Sequence, residues 1–261
     1  MKILVTGASS GIGAACALRL AKAGHRVVGV SRSGTAPEGV SGRVLDIREP
    51  EAVEARLQEI VEELSGLDAL VNSAGVAVGG PLEDTPIHLV RAQLETTLFG
   101  ATCLIRAAVP YLRNGSGGRL IHISSLAVAV PLPFQALYCA AHAGLNGLCE
   151  ALRHELEPVG VRVTVVSPGS VRTGLTANRQ TASAGVSYAT AAGKALAAND
   201  RDEESGISAE RIASAVEKAL TARVPPERLD VAHWHEKASG PLRRVLPEWL
   251  FRRIIASHYG I

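Results

Sequence analysis

Two groups of residues in this sequence have types and spacings suited to chemistry. The first is Thr6-Gly7-Ala8-Ser9-Ser10-Gly11-Ile12-Gly13, a glycine-rich turn that follows a short apolar strand and opens a helix. Gly7 permits the tight turn, while Gly11 and Gly13 let backbone approach a pyrophosphate and the helix pack closely on a sheet. The helix N-terminus then offers free N–H groups to phosphate. The second group is Tyr138 and His142, one helical turn apart on the same face. A phenol of pKa about 10 is a weak base at neutral pH unless a fixed cation lowers it. An imidazole of pKa about 6.5 is mostly neutral there; it can hydrogen-bond the phenol or act as an acid/base itself. It supplies no permanent positive charge.

These groups need a scaffold, and the chain reads as strands alternating with helices. Strands are expected at 3–6, 26–31, 43–45, 69–71, 119–124, 162–167 and 228–231, and helices at 11–23, 49–64, 87–112, 134–157 and 208–222. This alternation implies an α/β fold, a Rossmann-type doubly wound sheet of about seven parallel strands flanked by helices. The 261 residues read as one domain, with a variable substrate loop at about 173–207 and a C-terminal extension at about 232–261. With 47% apolar but only 3% aromatic residues, the core must come from Ala, Val, Leu and Ile. A net charge of +2 gives no reason to expect nucleic acid. Cys16, Cys103, Cys139 and Cys149 lack paired spacing and read as buried thiols in a reducing compartment. With neither a signal-peptide layout nor a long apolar run, the expected location is cytoplasmic, with no integral membrane segment. Residues 241–261 are basic and amphipathic; packing on the domain or on a second subunit is the favoured reading, and a membrane surface the other.

Further motifs follow the turn in order: Asp46-Ile47, Asn72-Ser73-Ala74-Gly75, Ile123-Ser124-Ser125, Tyr138, and Pro168-Gly169. Together they resemble the short-chain dehydrogenase/reductase family from residue 1 to about 176. The stretch Val130-Pro131-Leu132-Pro133-Phe134 is nearest to its 17β-hydroxysteroid-dehydrogenase-like branch. The resemblance implies hydride transfer between a nicotinamide cofactor and a carbonyl or alcohol carbon, in a homodimer or homotetramer. It places Asp46 and Ile47 beside the adenine, and Asn72, Ala74 and Gly75 beside the ribose. Val171 and Thr173, after Pro168-Gly169, would meet the nicotinamide amide. Strand two ends in Ser31-Arg32-Ser33 with no carboxylate. Arg32 and both serines can bind a 2′-phosphate, which points to NADP(H).

The resemblance also assigns four catalytic positions. Tyr138 would exchange the proton and Ser125, thirteen residues earlier, would hold the substrate oxygen. The family's lysine position holds His142, and its asparagine position, read against Leu98-Phe99-Gly100, holds Thr97. Loss of the cation harms alcohol oxidation more than carbonyl reduction, in which the tyrosine donates a proton and can start neutral. The expected function is therefore ketone reduction on a medium-sized apolar small molecule. The alternatives are non-redox chemistry, as an isomerase, lyase or cyclase, and a protein no longer catalytic. The pocket is expected from 128–134, the stretch after Thr173, and the region of Trp234 and Trp249. His122, on a strand, reads as a satisfied polar residue, and Arg153, Glu155 and Glu157 as a solvated helix face. No metal is expected, since His233-Trp234-His235 lacks further ligands, and no Gly-x-Ser-x-Gly elbow surrounds Ser125.

Overall fold

Short runs of β-branched residues separated by helical segments fold into a parallel sheet covered on both faces. The computed structural model describes residues 1–115 and 117–261. In chain order the first half contains β1 (Lys2–Thr6), α1 (Gly11–Lys22), β2 (Arg26–Ser31), β3 (Ser41–Val44), α2 (Pro50–Leu64), β4 (Ala69–Asn72), β5 (Val78–Gly79), α3 (Ile87–Leu94) and α4 (Ala101–Arg113). Next come β6 (Gly118–Ile123), α5 (Ala136–Leu156), β7 (Val161–Pro168), β8 (Val171–Arg172), β9 (Gln180–Thr181) and α6 (Ala189–Glu204). The chain closes with β10 (Ile207–Ser208), α7 (Ala209–Thr221), β11 (Arg228–Val231), α8 (Trp234–Val245) and α9 (Glu248–Tyr259).

Seven strands form one sheet in the order β11-β7-β6-β4-β1-β2-β3, all parallel. The period of two sends alternate side chains to opposite faces. Leu4, Val28, Leu70, Leu120 and Val163 meet Leu57 of α2, Leu104 of α4 and Leu145 of α5 on one face. Ile3, Val5, Val71, Ile121 and Val166 meet Leu20 of α1 and Ile212 of α7 on the other. The winding reverses between β1 and β4, so the crevice beyond their carboxyl ends is the natural ligand position of such a sheet.

Four expectations need correction. The helix expected at 87–112 is interrupted by a π-turn over Glu95–Gly100. Gly100 there lies against the Ile47 carbonyl, which a Cβ would approach to 2.7 Å. The stretch 173–207 is not mainly loop, because it contains the sixteen residues of α6. That helix buries a stripe of mostly alanine (Ala192, Ala195, Ala198), whose weak hydropathy contrast hides the helical period. Arg153 is turned inward, donating from Nε to the Val163 carbonyl (3.3 Å) and from Nη2 to that of Glu227 (2.6 Å), rather than lying on a solvated face. Cys16 and Cys149 are buried, but Cys103 and Cys139 only partly so; all four are free thiols. Among the described residues no helix is long and apolar enough to cross a membrane.

The glycine turn sets a sharp steric limit. A Cβ on Gly13 would lie 2.3 Å from the Gly7 carbonyl oxygen, whereas one on Gly193 of α6 meets nothing within 4 Å. Gly13→Ala should therefore lower the unfolding free energy by about 1–3 kcal/mol. Gly193→Ala should raise it by roughly 0.5–1 kcal/mol. Urea unfolding of both variants checks the pair.

Candidate active site

The crevice is held together by one hydroxyl. Thr6, at the end of β1, accepts hydrogen bonds at Oγ1 from the backbone N–H groups of Ser73 and Ala74, both at 2.9 Å, and donates to Asn72 Oδ1 at 3.2 Å. This fastens the turn after β4 to the glycine turn. Gly7 has φ +68°, and a Cβ there would sit 3.1 Å from the Ala74 Cα. Gly11, with φ +56°, lies against Thr173, whose Cβ would be 3.3 Å from an added Cβ. Ser9 and Ser10 are exposed beside Gly11 and Ile12, and Ser10 precedes α1 without a side-chain cap. The first turn of α1 carries no acidic residue, so its N–H groups and positive dipole end face the crevice uncompensated. This turn, built of backbone donors with room for close approach, fits a dinucleotide phosphate.

At the end of β2, Ser31 is buried and its hydroxyl donates to the Thr35 carbonyl (3.1 Å), with Ser33 Oγ 3.3 Å away. Arg32 is exposed. Asp46 accepts from the Arg48 guanidinium at 2.9 and 3.1 Å, and that hydrogen bond is the main cause holding its carboxyl below the usual range. Arg32 adds a smaller Coulombic pull on the same carboxylate. Two arginines thus stand around Asp46, and Arg48 went unnoticed in the sequence because it lies just outside the Asp46-Ile47 motif.

The expected catalytic residues come together. Burial raises the Tyr138 phenol pKa, and a hydrogen bond with Ser125 opposes that shift. Ser125 Oγ also accepts from the Ala127 N–H at 3.1 Å, which fixes its rotamer at the mouth of β6. The rings of Tyr138 and His142 lie 4.4 Å apart between centroids, tilted by 56°. His142 is buried, its Nδ1 has no partner, and burial lowers its pKa to about 4. His122 stacks beneath it with centroids 6.3 Å apart, and burial followed by repulsion from His142 lowers its pKa to about 3.

The expectation of a satisfied His122 holds for one nitrogen alone. Asn72 Nδ2, which can only donate, gives its hydrogen to His122 Nδ1 (3.3 Å), leaving the His122 proton on a buried, unpartnered Nε2. Thr97 lies buried in the π-turn, its Oγ1 accepting from Gln93 Nε2 at 2.9 Å. The same Gln93 amide donates to the Val76 carbonyl and accepts from the Val78 N–H, both at 2.9 Å. It therefore ties Thr97 to the segment after Gly75, which is exposed and faces Thr97 Oγ1.

On the far side, Pro168 is buried at the end of β7 and Gly169 leads into β8, where Val171 pairs with Ile207. The loop beyond β8 is gathered by Glu203, which accepts from the backbone N–H groups of Thr173 (3.2 Å), Leu175 (2.9 Å) and Thr176 (2.8 Å) and from the Thr173 hydroxyl (3.1 Å). Burial pushes the Glu203 carboxyl up, but the bonds from Thr176 and Thr173 outweigh it and the net shift is downward. Neither Gln93 nor Glu203 belongs to a motif; a lone polar residue in a helix gives no spacing signal.

Comparison with known proteins now decides the family. The family model described as short chain dehydrogenase matches residues 1–184. The chain belongs to that family. The 3-ketodihydrosphingosine reductase of Bacteroides thetaiotaomicron is 33% identical over 248 residues, covering 94% of this chain and 89% of the relative. The mouse protein named dehydrogenase/reductase SDR family member 7B is 29% identical over 84% of this chain and 69% of its own length. A short-chain dehydrogenase from Streptomyces avermitilis superposes with a TM-score of 0.82 at 28% identity, over 95% of this chain and 96% of the other. Membership makes this short-chain dehydrogenase an oxidoreductase that binds a nicotinamide cofactor.

The two buried imidazoles carry a pH signature. Folding lowers both pKa values from 6.5, so from about pH 6.5 down to about pH 4 for His142 and about pH 3 for His122 the unfolded chain binds more protons than the native one. This contribution is fully present above that window and is lost as the pH falls through it. Melting temperature should therefore drop with acidification across this range, and His142→Gln should flatten the drop relative to its own value at pH 7.5. An unchanged slope contradicts a buried neutral His142.

Proposed function

We propose that this protein is an NADPH-dependent reductase of a ketone on an apolar, long-chain small molecule of the 3-ketodihydrosphingosine type. The observation that carries this reading is the Tyr138 phenol, set near Ser125 and paired with a neutral imidazole instead of a cation. A phenol with a raised pKa is a proton donor at neutral pH, and reduction of a carbonyl needs a donor. Tyr138 gives its proton to the developing alkoxide, and Ser125 orients the carbonyl oxygen by hydrogen bonding. His142 holds a ribose hydroxyl, and Thr97, positioned by Gln93, stands behind it. A nicotinamide cofactor held by these residues would supply the hydride.

The cofactor residues follow the same frame. Gly7 to Gly13 and the N-terminus of α1 receive the pyrophosphate. Ser31, Arg32 and Ser33, with Arg48 nearby, receive a 2′-phosphate, and no carboxylate at the end of β2 opposes it. Asp46 and Ile47 flank the adenine; Asn72, Ala74 and Gly75 flank the ribose. Pro168, Gly169, Val171 and Thr173 meet the nicotinamide. A groove of ≈440 Å³ lined by Gly80, Leu82, Phe134 and Tyr188 supports an apolar substrate near the start of α5. Phe134 holds φ +59°, an unusual conformation for a bulky residue, and its carbonyl accepts from the Gly80 N–H at 2.8 Å, which bridges the two sides of this groove. The reading takes residues 1–261 as one functional domain. Assembly as a homodimer or homotetramer is supported by Phe99, 51% exposed beside α4, and by the exposed glycines 144 and 147 on α5.

Purified protein incubated with NADPH and a panel of ketones, long-chain amino ketones included, tests the reading through the loss of NADPH absorbance. Turnover is expected with NADPH in preference to NADH, and Tyr138→Phe should lower kcat by about 100-fold or more. His142→Lys should shift the pH profile of alcohol oxidation down by about one unit or more. Tight NADPH binding with no turnover of any carbonyl overturns ketone reduction and favours non-redox chemistry at the same residues.

A further inference from the structure

The C-terminal helix pair, α8 and α9, presents more apolar and cationic surface than the fold uses. Its inward face is accounted for. Phe251 and Tyr259 are buried, and Tyr259 and Ile255 pack with Ala195 and Ala198 of α6 and with Leu132 and Phe134. Arg243 donates to the Ala129 carbonyl at 2.7 Å and stacks over the Phe251 ring at 5.9 Å. Packing on the rest of the chain therefore explains half of the amphipathic pattern.

The outward face remains. Trp234 is 82% exposed, Val245 76% and Trp249 66%, and Leu242, Ile254 and Ile261 are exposed as well. On α8, Trp234, Ala238, Pro241 and Val245 recur at spacings of four, three and four, which aligns them along one side. Lys237, Arg244, Arg252 and Arg253 are exposed among them. Of the two acids in this segment, Glu236 is turned inward, accepting from the His233 and Ser170 N–H groups at 2.8 and 2.7 Å. That leaves Glu248 against four exposed cations.

We propose that this helix pair docks the protein on an anionic lipid surface. In this arrangement Trp234, Val245 and Trp249 enter the boundary between headgroups and acyl chains while Lys237, Arg244, Arg252 and Arg253 meet lipid phosphates. Indole is suited to that depth, having an apolar body and one N–H donor. A basic helix with a separate apolar side lies in the interface plane rather than crossing it, and each of these helices has twelve residues, too short to span. Charge chooses lipid over a second copy of the chain. A twofold contact through this face would set its own cations against one another, whereas an anionic bilayer complements all four. The groove of ≈610 Å³ between the helix pair and Pro131 and Pro133, lined also by Trp249 and Arg252, adjoins the segment that leads into the Tyr138 helix. Docking would turn that side of the protein toward the lipid. The proposal stands on the surface alone and does not depend on the ketone reading.

The test uses the whole protein and its own fluorophores, because Trp234 and Trp249 are its two tryptophans. Vesicles of phosphatidylcholine, with and without phosphatidylglycerol, are titrated at low and high salt. Cosedimentation and a blue shift of tryptophan emission are expected with the anionic vesicles alone, both weakening as salt rises. R252E/R253E should weaken binding by about tenfold or more with its melting temperature retained, and W234A/W249A should weaken cosedimentation. Absence of both signals at low salt overturns the proposal. So does a dimer in solution that W234A/W249A dissolves, since the face would then belong to a second copy.

Discussion

The Thr6 hydroxyl is the fastening on which the crevice depends. It sits where the sheet reverses its winding, and it draws the turn after β4 onto the glycine turn by accepting two backbone N–H bonds and giving one to Asn72. Such close approach requires that no side chain intervene, which is why Gly7 adopts a left-handed conformation beside Ala74. Asn72 passes the constraint on by fixing the tautomer of His122. His122 in turn underlies His142, and His142 underlies Tyr138. A line of polar groups thus runs from the glycine turn to the half-buried Tyr138 phenol.

Low dielectric along this line decides what the phenol can do. Burial disfavours the charged forms of His122, His142 and Tyr138, so the imidazoles stay neutral and the phenol stays protonated. A lysine at position 142 would oppose that tendency with a fixed charge. Histidine goes along with it, and the site loses assistance for proton abstraction while keeping a donor. Around this core Gln93 and Glu203 do parallel jobs at opposite sides, each gathering several donors or acceptors of a loop onto one buried side chain.

Most of the central sheet was legible in the sequence because its strands are short runs such as Arg26–Ser31 and Gly118–Ile123, rich in apolar residues and buried on both faces. The site motifs were legible because turn geometry demands particular residues at particular spacings, as at Gly7, Gly11 and Gly13. Three features were not. The π-turn at Glu95–Gly100 lies inside a continuous helical pattern, and nothing in Thr96 or Thr97 marks it. The alanine stripe of α6 carries too little hydropathy contrast to separate from a loop. The inward turns of Arg153 and Glu203 depend on partners distant in the chain, which local spacing cannot reveal. The C-terminal extension was half legible: its amphipathic period was plain, but only the fold divides it into an inward face with Phe251 and an outward one with Trp249.

The central claim is that His142 is neutral where a fixed cation would assist Tyr138, and its titration measures this directly. Histidine-labelled protein followed by NMR from pH 8 to the onset of acid unfolding, with His142→Gln assigning the resonance, gives the pKa in place. An imidazole that stays neutral through pH 5 and titrates only near about 4 agrees with the account. A midpoint at or above the ordinary value of about 6.5 contradicts it, because burial would then not be holding His142 neutral and a cation would form beside the phenol on mild acidification.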